Sequence, residues 1–183
     1  MLKEVLEFNK QFVKSGGYKP LITTKYPNKE IAILTCMDAR LVKLLSSALG
    51  YGNGDVKIIK NAGGIIAHPY GSVIRSLIVA IFKLGVKSVW VIGHTDCGMQ
   101  HMDVPELLKV MKKRGVCPNE INQIAEQGID FNNWLGGFHS PEETVLETMN
   151  TIINHPLIPN DIAVEGMIID STTGELTHLG SRS

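Results

Sequence analysis

The sequence lacks every feature that would commit it to a membrane or to a polyanion. No apolar run approaches the roughly 20 residues that a bilayer span requires. The longest, around Leu77 to Leu84, is interrupted by Lys83 and has helical spacing. Met1 to Phe12 carries Glu4 and Glu7 among its apolar residues, so it has no uninterrupted core of the kind a secretory signal needs. Neither sign of charge is in excess: Lys plus Arg and Asp plus Glu are 18 each among 183 residues, for a net charge of +0. Such a balance gives no field that favours nucleic acid, acidic polymers or anionic lipid. A small substrate, no nucleic-acid or membrane partner and a cytoplasmic location are the resulting expectations. Cysteine is scarce, with 3 residues. An odd, sparse set is no disulfide framework, and in a reducing compartment such thiols more often serve as metal ligands or nucleophiles.

What is present is an alternation. Leu2, Val5, Leu6, Phe12 and Val13 recur at helical spacing, predicting an N-terminal helix over about residues 1–15 that is free to pack on a partner subunit. Ile31 to Thr35, ending in Cys36, Val56 to Ile59, and Ser88 to Ile92, ending at Gly93 and His94, read as buried parallel strands. Between them lie the helical stripes Leu41 to Leu49, closed by Gly50, and Val73 to Leu84, closed by Gly85. Further helices are predicted over Pro105 to Met111, Asn119 to Gln127, and from a capping box at Ser140, Pro141 and Glu143 onward. Ile162 to Ile169 reads as a fourth strand, with an edge strand over Glu175 to His178. The pattern predicts one α/β domain over residues 1–183, in three layers around a mainly parallel sheet.

Chemistry concentrates at two strand ends. Cys36 opens Cys36-Met37-Asp38-Ala39-Arg40 after the first strand; His94 and Cys97 lie in His94-Thr95-Asp96-Cys97 after the third. Open α/β sheets place their sites outside the carboxyl ends of strands. Zinc takes sulfur and nitrogen donors at about 2.3 and 2.1 Å, so Cys36 and His94 can share an ion only if the first and third strands are neighbours. That requirement predicts the sheet order 2-1-3-4, with an antiparallel edge strand added. Two thiolates and an imidazole make the three-donor set of a catalytic zinc site, leaving a fourth position for water or substrate. Cys117 and His101 are the weaker candidates to close the site. Each residue also has a plainer reading, because free cysteine is often buried as a small hydrophobe and a histidine in a turn is often structural. Asp38 is placed to act on bound water as base or hydrogen-bond acceptor, and Arg40 to hold it ionised. By themselves they would read as an ordinary helix start.

Cys36-x-Asp38-x-Arg40 with His94-x-x-Cys97 resembles the signature of the β-class carbonic anhydrases, and the likeness extends to Lys60-Asn61-Ala62-Gly63-Gly64 and to Gly166 to Gly174. The resemblance implies a β-carbonic anhydrase-like fold and a zinc-dependent, reversible hydration of carbon dioxide to bicarbonate by a metal-activated water, in a homodimer or higher homo-oligomer. It implies zinc ligation by Cys36, His94 and Cys97, catalytic roles for Asp38 and Arg40, and a substrate pocket lined by Asn61, Ala62, Gly63 and Gly64. In part of that family the aspartate equivalent to Asp38 is a fourth ligand that closes the site until the arginine draws it away. Lys60 departs from the arginine common at that position, and Met102 to Phe138 carries no matching pattern. His68 and His101 are candidate proton carriers, and Asp96 a candidate polar lining group; each reads more plainly as a turn or loop residue. Alternatives on the same scaffold are a hydrolase of carbonyl sulfide or carbon disulfide and a non-catalytic zinc- or anion-binding regulator.

Overall fold

The computed structural model of the chain describes residues 1–182. Short runs of aliphatic and β-branched residues form β1 (Ile31–Cys36), β2 (Val56–Asn61), β3 (Ser88–His94), β4 (Ala163–Ile169) and β5 (Leu176–Arg182). They hydrogen-bond in the order β2-β1-β3-β4-β5, parallel except for the antiparallel pair β4 and β5. The expected order 2-1-3-4 with an antiparallel edge is thus observed. β1 is buried at all 6 positions, as befits a central strand covered on both faces.

The two faces have separate cores. On one, Ala32 and Leu34 of β1, Val89 and Val91 of β3 and Val164 of β4 meet α3 (Ser72–Leu84) through Val73, Ile74 and Leu77, and α7 (Pro141–Ile153) through Val145, Met149 and Ile152. On the other, Ile31, Ile33, Ile92 and Ile169 meet Leu41 and Leu45, the latter in α2 (Leu44–Leu49). Alternation of side chains along each strand sorts residues between these layers. A fully buried Leu or Ile contributes about 1.5–3 kcal/mol relative to exposure. α1 (Leu2–Lys14) buries none of its residues, and Leu2, Val5, Leu6 and Phe8 are exposed. No helix among the described residues is long and apolar enough to cross a membrane.

Three local departures from the sequence expectations have physical causes. The stripe from Leu41 to Leu49 is not one helix: Asp38 accepts from the Arg40 N–H at 2.9 Å and caps a 3-10 turn over Ala39–Val42, which breaks at Lys43 before α2 begins. The edge strand runs past His178 to Arg182, because Gly166 pairs with Gly180 and Met167 with His178, so that Leu179 is accommodated as a bulge. Between α5 (Pro118–Glu126) and α7 lies a further short helix, α6 (Phe131–Leu135), whose start is fixed by Asp130 accepting from the N–H groups of Asn132 and Asn133. α4 (Val104–Lys113) is capped by Asp103, and α7 by Ser140 as its capping box predicts.

One glycine matters to the tip of β1. Gly64 has φ +68, and a Cβ there would lie 2.9 Å from the Thr35 carbonyl carbon and 3.0 Å from the Cys36 nitrogen. Backbone thus packs directly on the backbone that presents Cys36. Gly64→Ala is expected to cost about 2–4 kcal/mol of unfolding free energy in urea titration, from strain plus overpacking. Gly50→Ala is the control: its φ is +67 but the added methyl meets nothing within 4 Å, so its cost should be about 1 kcal/mol. Equal losses in the two variants would contradict the packing argument.

Candidate metal centre

Cys36 ends β1 and His94 ends β3, and these strands are parallel neighbours, so both side chains emerge at the same edge of the sheet. Cys97 follows three residues later. Asp96, at φ +52, turns the chain back towards β1. This closure leaves the Cys36 and Cys97 sulfurs 3.8 Å apart and both cysteines free and buried. Two sulfurs bound at about 2.3 Å to one tetrahedral ion would be separated by about 3.8 Å. The donor atoms of Cys36, His94 and Cys97 all lie within 4.8 Å of one another.

His94 is oriented for the same task. Its Nδ1 is 2.9 Å from the Thr95 carbonyl oxygen, which can only accept, so Nδ1 carries the proton and Nε2 presents a lone pair. That Nε2 is buried and has no hydrogen-bond partner. A buried unpaired nitrogen is costly unless something binds it, and a backbone carbonyl on the other ring nitrogen is the usual support of a metal-ligating histidine. Thr95 is itself fixed, its Oγ1 accepting from the Ser171 N–H at 3.0 Å across to the loop after β4.

The two thiols differ in environment. Burial pushes the Cys36 thiol up, but a His94 ring protonated at both nitrogens, as it can be without a cation, and the N–H groups of Asp38 and Gly63 outweigh it and bring Cys36 down to about 7. Burial raises Cys97 to about 11, only partly relieved by the Met99 N–H, with the Cys36 sulfur adding to the rise. Without a cation, then, two thiolates side by side are disfavoured; a divalent ion would remove that penalty by deprotonating both. The residues fit a metal ion on three counts: sulfur spacing, histidine tautomer and an orphaned buried nitrogen.

Arg40 links the two ligand loops. Its Nε and Nη2 donate to the two Asp38 oxygens at 3.0 and 2.8 Å, while Nη1 and Nη2 reach the Asp96 carboxylate and carbonyl at 2.8 and 2.7 Å. The guanidinium hydrogen bonds hold Asp38 down at about 2 despite opposing desolvation, and the two aspartates drive Arg40 higher still. Asp96 thus has a task beyond turning the chain. The signal for it was its placement between His94 and Cys97, but which cation it meets depends on strand adjacency.

The remaining candidates separate. Asn61 closes its own loop, Nδ2 donating to the Ile65 carbonyl at 2.6 Å and Oδ1 accepting from the Ile65 N–H at 3.2 Å. Asn61 and Ala62 line a cavity, whereas Gly63 and Gly64 are buried against the β1 tip, Gly63 contributing its N–H to the Cys36 sulfur. Lys60 donates to the Leu41 carbonyl at 3.0 Å; desolvation lowers its pKa, against the fields of Cys36 and Asp38. His68 accepts from the Tyr70 N–H at 3.0 Å, and His101, at φ +56, has its Nδ1 3.1 Å from the His139 Nδ1. Cys117 is exposed at the start of α5, outside the donor group.

Comparison with known proteins agrees with this geometry. The sequence model described as "Carbonic anhydrase" matches residues 31–176. A Bacillus subtilis (strain 168) protein named "Putative carbonic anhydrase YvdA" is 46% identical over 175 residues, 96% of this chain and 89% of the relative. A carbon disulfide hydrolase of Acidithiobacillus thiooxidans is 34% identical over 155 residues, 77% of this chain and 68% of the relative. The crystal structure of β-carbonic anhydrase isoform I from Trichomonas vaginalis superposes with a TM-score of 0.88 at 31% identity, covering 98% of this chain and 97% of that one. The chain belongs to the β-carbonic anhydrase family.

Removing one donor should therefore remove the metal. Cys97→Ser is expected to retain less than about a tenth of an equivalent of divalent metal per chain by mass spectrometry, with a melting temperature several degrees lower. Cys117→Ser should match the unmodified chain in both. Undiminished metal in Cys97→Ser would contradict the site.

Proposed function

We propose that the chain is a zinc lyase, a carbonate dehydratase that interconverts carbon dioxide and bicarbonate, with Cys36 Sγ, Cys97 Sγ and His94 Nε2 holding zinc. Two thiolates with an imidazole suit this borderline-soft cation. When bound, zinc supplies the Lewis acidity that brings the ionisation of a water molecule towards neutral pH. The observation that carries the reading is the Asp38 and Arg40 pair: both Asp38 oxygens are held by Arg40, so Asp38 is not offered as a fourth ligand and an ion held by the three donors would keep a place for water. This supports the open arrangement over one in which Asp38 is a ligand.

The side chains then divide the work. An Asp38 carboxylate with its pKa at about 2 stays ionised at neutral pH and is too weak a base to store a proton. Its role is to accept a hydrogen bond and so orient the attacking water. Arg40 fixes that carboxylate, and Asp96 fixes Arg40. The Gly63 N–H and the Met99 N–H support the two sulfurs, and Asn61 and Ala62 face the substrate.

A second reading, hydrolysis of carbon disulfide, is favoured by the 34% identical relative of that name. Stopped-flow hydration of carbon dioxide beside sulfide release from carbon disulfide, on zinc-loaded protein, separates the two. Hydration is expected to dominate, and Asp38→Ala to keep its zinc while losing at least about 100-fold in kcat/KM. Dominant sulfide release would support the second reading, and full activity in Asp38→Ala would remove the orienting role.

The exposed apolar residues of α1 support a homodimer in which this helix packs on the other copy. Leu6, 54% exposed, is a central member of that face. Leu6→Glu should raise the dimer dissociation constant at least about tenfold in analytical ultracentrifugation; unchanged self-association would place the interface elsewhere.

A further inference from the structure

His101 and His139 take no part in the metal centre, yet their side chains meet across 38 residues of sequence. Nδ1 of one lies 3.1 Å from Nδ1 of the other, with ring centroids 5.2 Å apart and the planes inclined at 51°. Each sits on a loop that starts a helix: His101 shortly before Asp103, the cap of α4, and His139 just before Ser140, the cap of α7. The backbone stitches these loops together. The His101 N–H donates to the Phe138 carbonyl at 2.9 Å, the Phe138 N–H to the Met99 carbonyl at 3.3 Å, and the Gln100 Nε2 to the His139 carbonyl at 2.8 Å. The rings therefore meet because their main chains are already joined.

Two facing lone pairs at this separation would repel, so one Nδ1 carries a proton and donates it to the other. A cation fits where that proton lies. Two imidazole nitrogens 3.1 Å apart, each bound at about 2.0–2.1 Å, subtend an angle of about 95–100° at a shared ion. That bite is nearer the right angle of tetragonal or octahedral coordination than the tetrahedral angle of about 109°. The pair borders a cavity of about 260 Å³ that also includes Asp103 and Asn132, which is room for several water molecules. Asp103 Oδ1 is engaged by the Glu106 N–H at 2.9 Å. Among the described residues no third His, Cys, Asp or Glu completes a three-donor group with the pair, so water fills the remaining positions.

We propose that His101 Nδ1 and His139 Nδ1 form a second metal site, a cis-chelate for a divalent transition cation of the nickel or copper class. Imidazole suits these ions, and the near-right-angle bite matches their preferred geometries. On binding, the ring that donated loses its Nδ1 proton to solvent and takes one up at Nε2, so no net proton is released from the neutral pair. The bound ion clamps the loop that follows Cys97 to the start of α7. The site stands whether or not the function proposed above does.

The test uses tag-free, zinc-loaded protein and nickel(II) as the probe. Calorimetric titration is expected to show one equivalent of nickel bound beyond the zinc. Crystals soaked in nickel(II) should give an anomalous peak at the nickel edge between the two Nδ1 atoms, with zinc retained by Cys36, His94 and Cys97. His139→Ala, and His101→Asn with a residue that accepts a positive φ, should each weaken nickel binding at least about tenfold, because one of two linked donors is gone. Nickel should raise the melting temperature of the unmodified chain and leave that of both variants unchanged. No peak at the pair in soaked crystals of the unmodified chain, or undiminished nickel affinity in both variants, would overturn the proposal. Nickel found only at Cys36, His94 and Cys97 in exchange for zinc would overturn it as well.

Discussion

The site depends on one constraint: β1 and β3 must be parallel neighbours. Their adjacency brings Cys36 and His94 to one edge of the sheet, and the turn at Asp96 then needs only three residues to return Cys97 to a position 3.8 Å from Cys36. The crossover from β1 through β2 and α3 to β3 makes this gap the point where the winding direction reverses, which is where open α/β sheets leave a crevice. The tight backbone packing of Gly64 on Cys36, the carbonyl under His94 and the buried core on both faces hold the donors before any cation arrives. Such preorganisation lowers the conformational cost of binding, leaving the desolvation of two thiolates as the main opposing term.

Charge balance explains the surroundings. Two thiolates neutralise a divalent ion and so make a bound water less acidic than three neutral imidazoles would. In the proposed zinc form, a rigidly held acceptor beside the open position would compensate in part. Asp38 is placed for that acceptor role, not as a ligand, because Arg40 grips both of its oxygens, and Arg40 does not swing free because Asp96 and its carbonyl hold the other side. The same guanidinium joins the loop after β1 to the loop after β3, so the ligand loops are tied by chemistry as well as by the sheet.

Much of this was legible in the sequence because it is local or follows from a single requirement. The apolar runs ending at Cys36 and His94 mark strands, and the demand that they share an ion sets the order of the sheet. The Ser140 capping box marks the start of α7. What could not be read was non-local. α6 is too short for its apolar residues to show a period, so Asp130 was its only cue. Asp38 reshapes the start of the Leu41 to Leu49 stripe through a side-chain cap that apolar spacing does not reveal. The partner of Asp96 lies 56 residues away, and a cavity built by Ala67, Met99, Leu107 and Trp134 emerges only when three separate segments meet. Asn61 to Gly64 were expected to line the substrate pocket; Asn61 and Ala62 line a cavity, and the backbone of Gly63 and Gly64 lies at the tip of β1, which apolar spacing does not reveal.

The central claim is that two sulfurs and one imidazole nitrogen share a single zinc ion with one position left for a light atom. X-ray absorption at the zinc edge on freshly purified protein tests it most directly. The account predicts two sulfur scatterers at about 2.3 Å and two nitrogen or oxygen scatterers at about 2.0–2.1 Å. A shell of six light atoms, or one of three or four sulfurs, would contradict it.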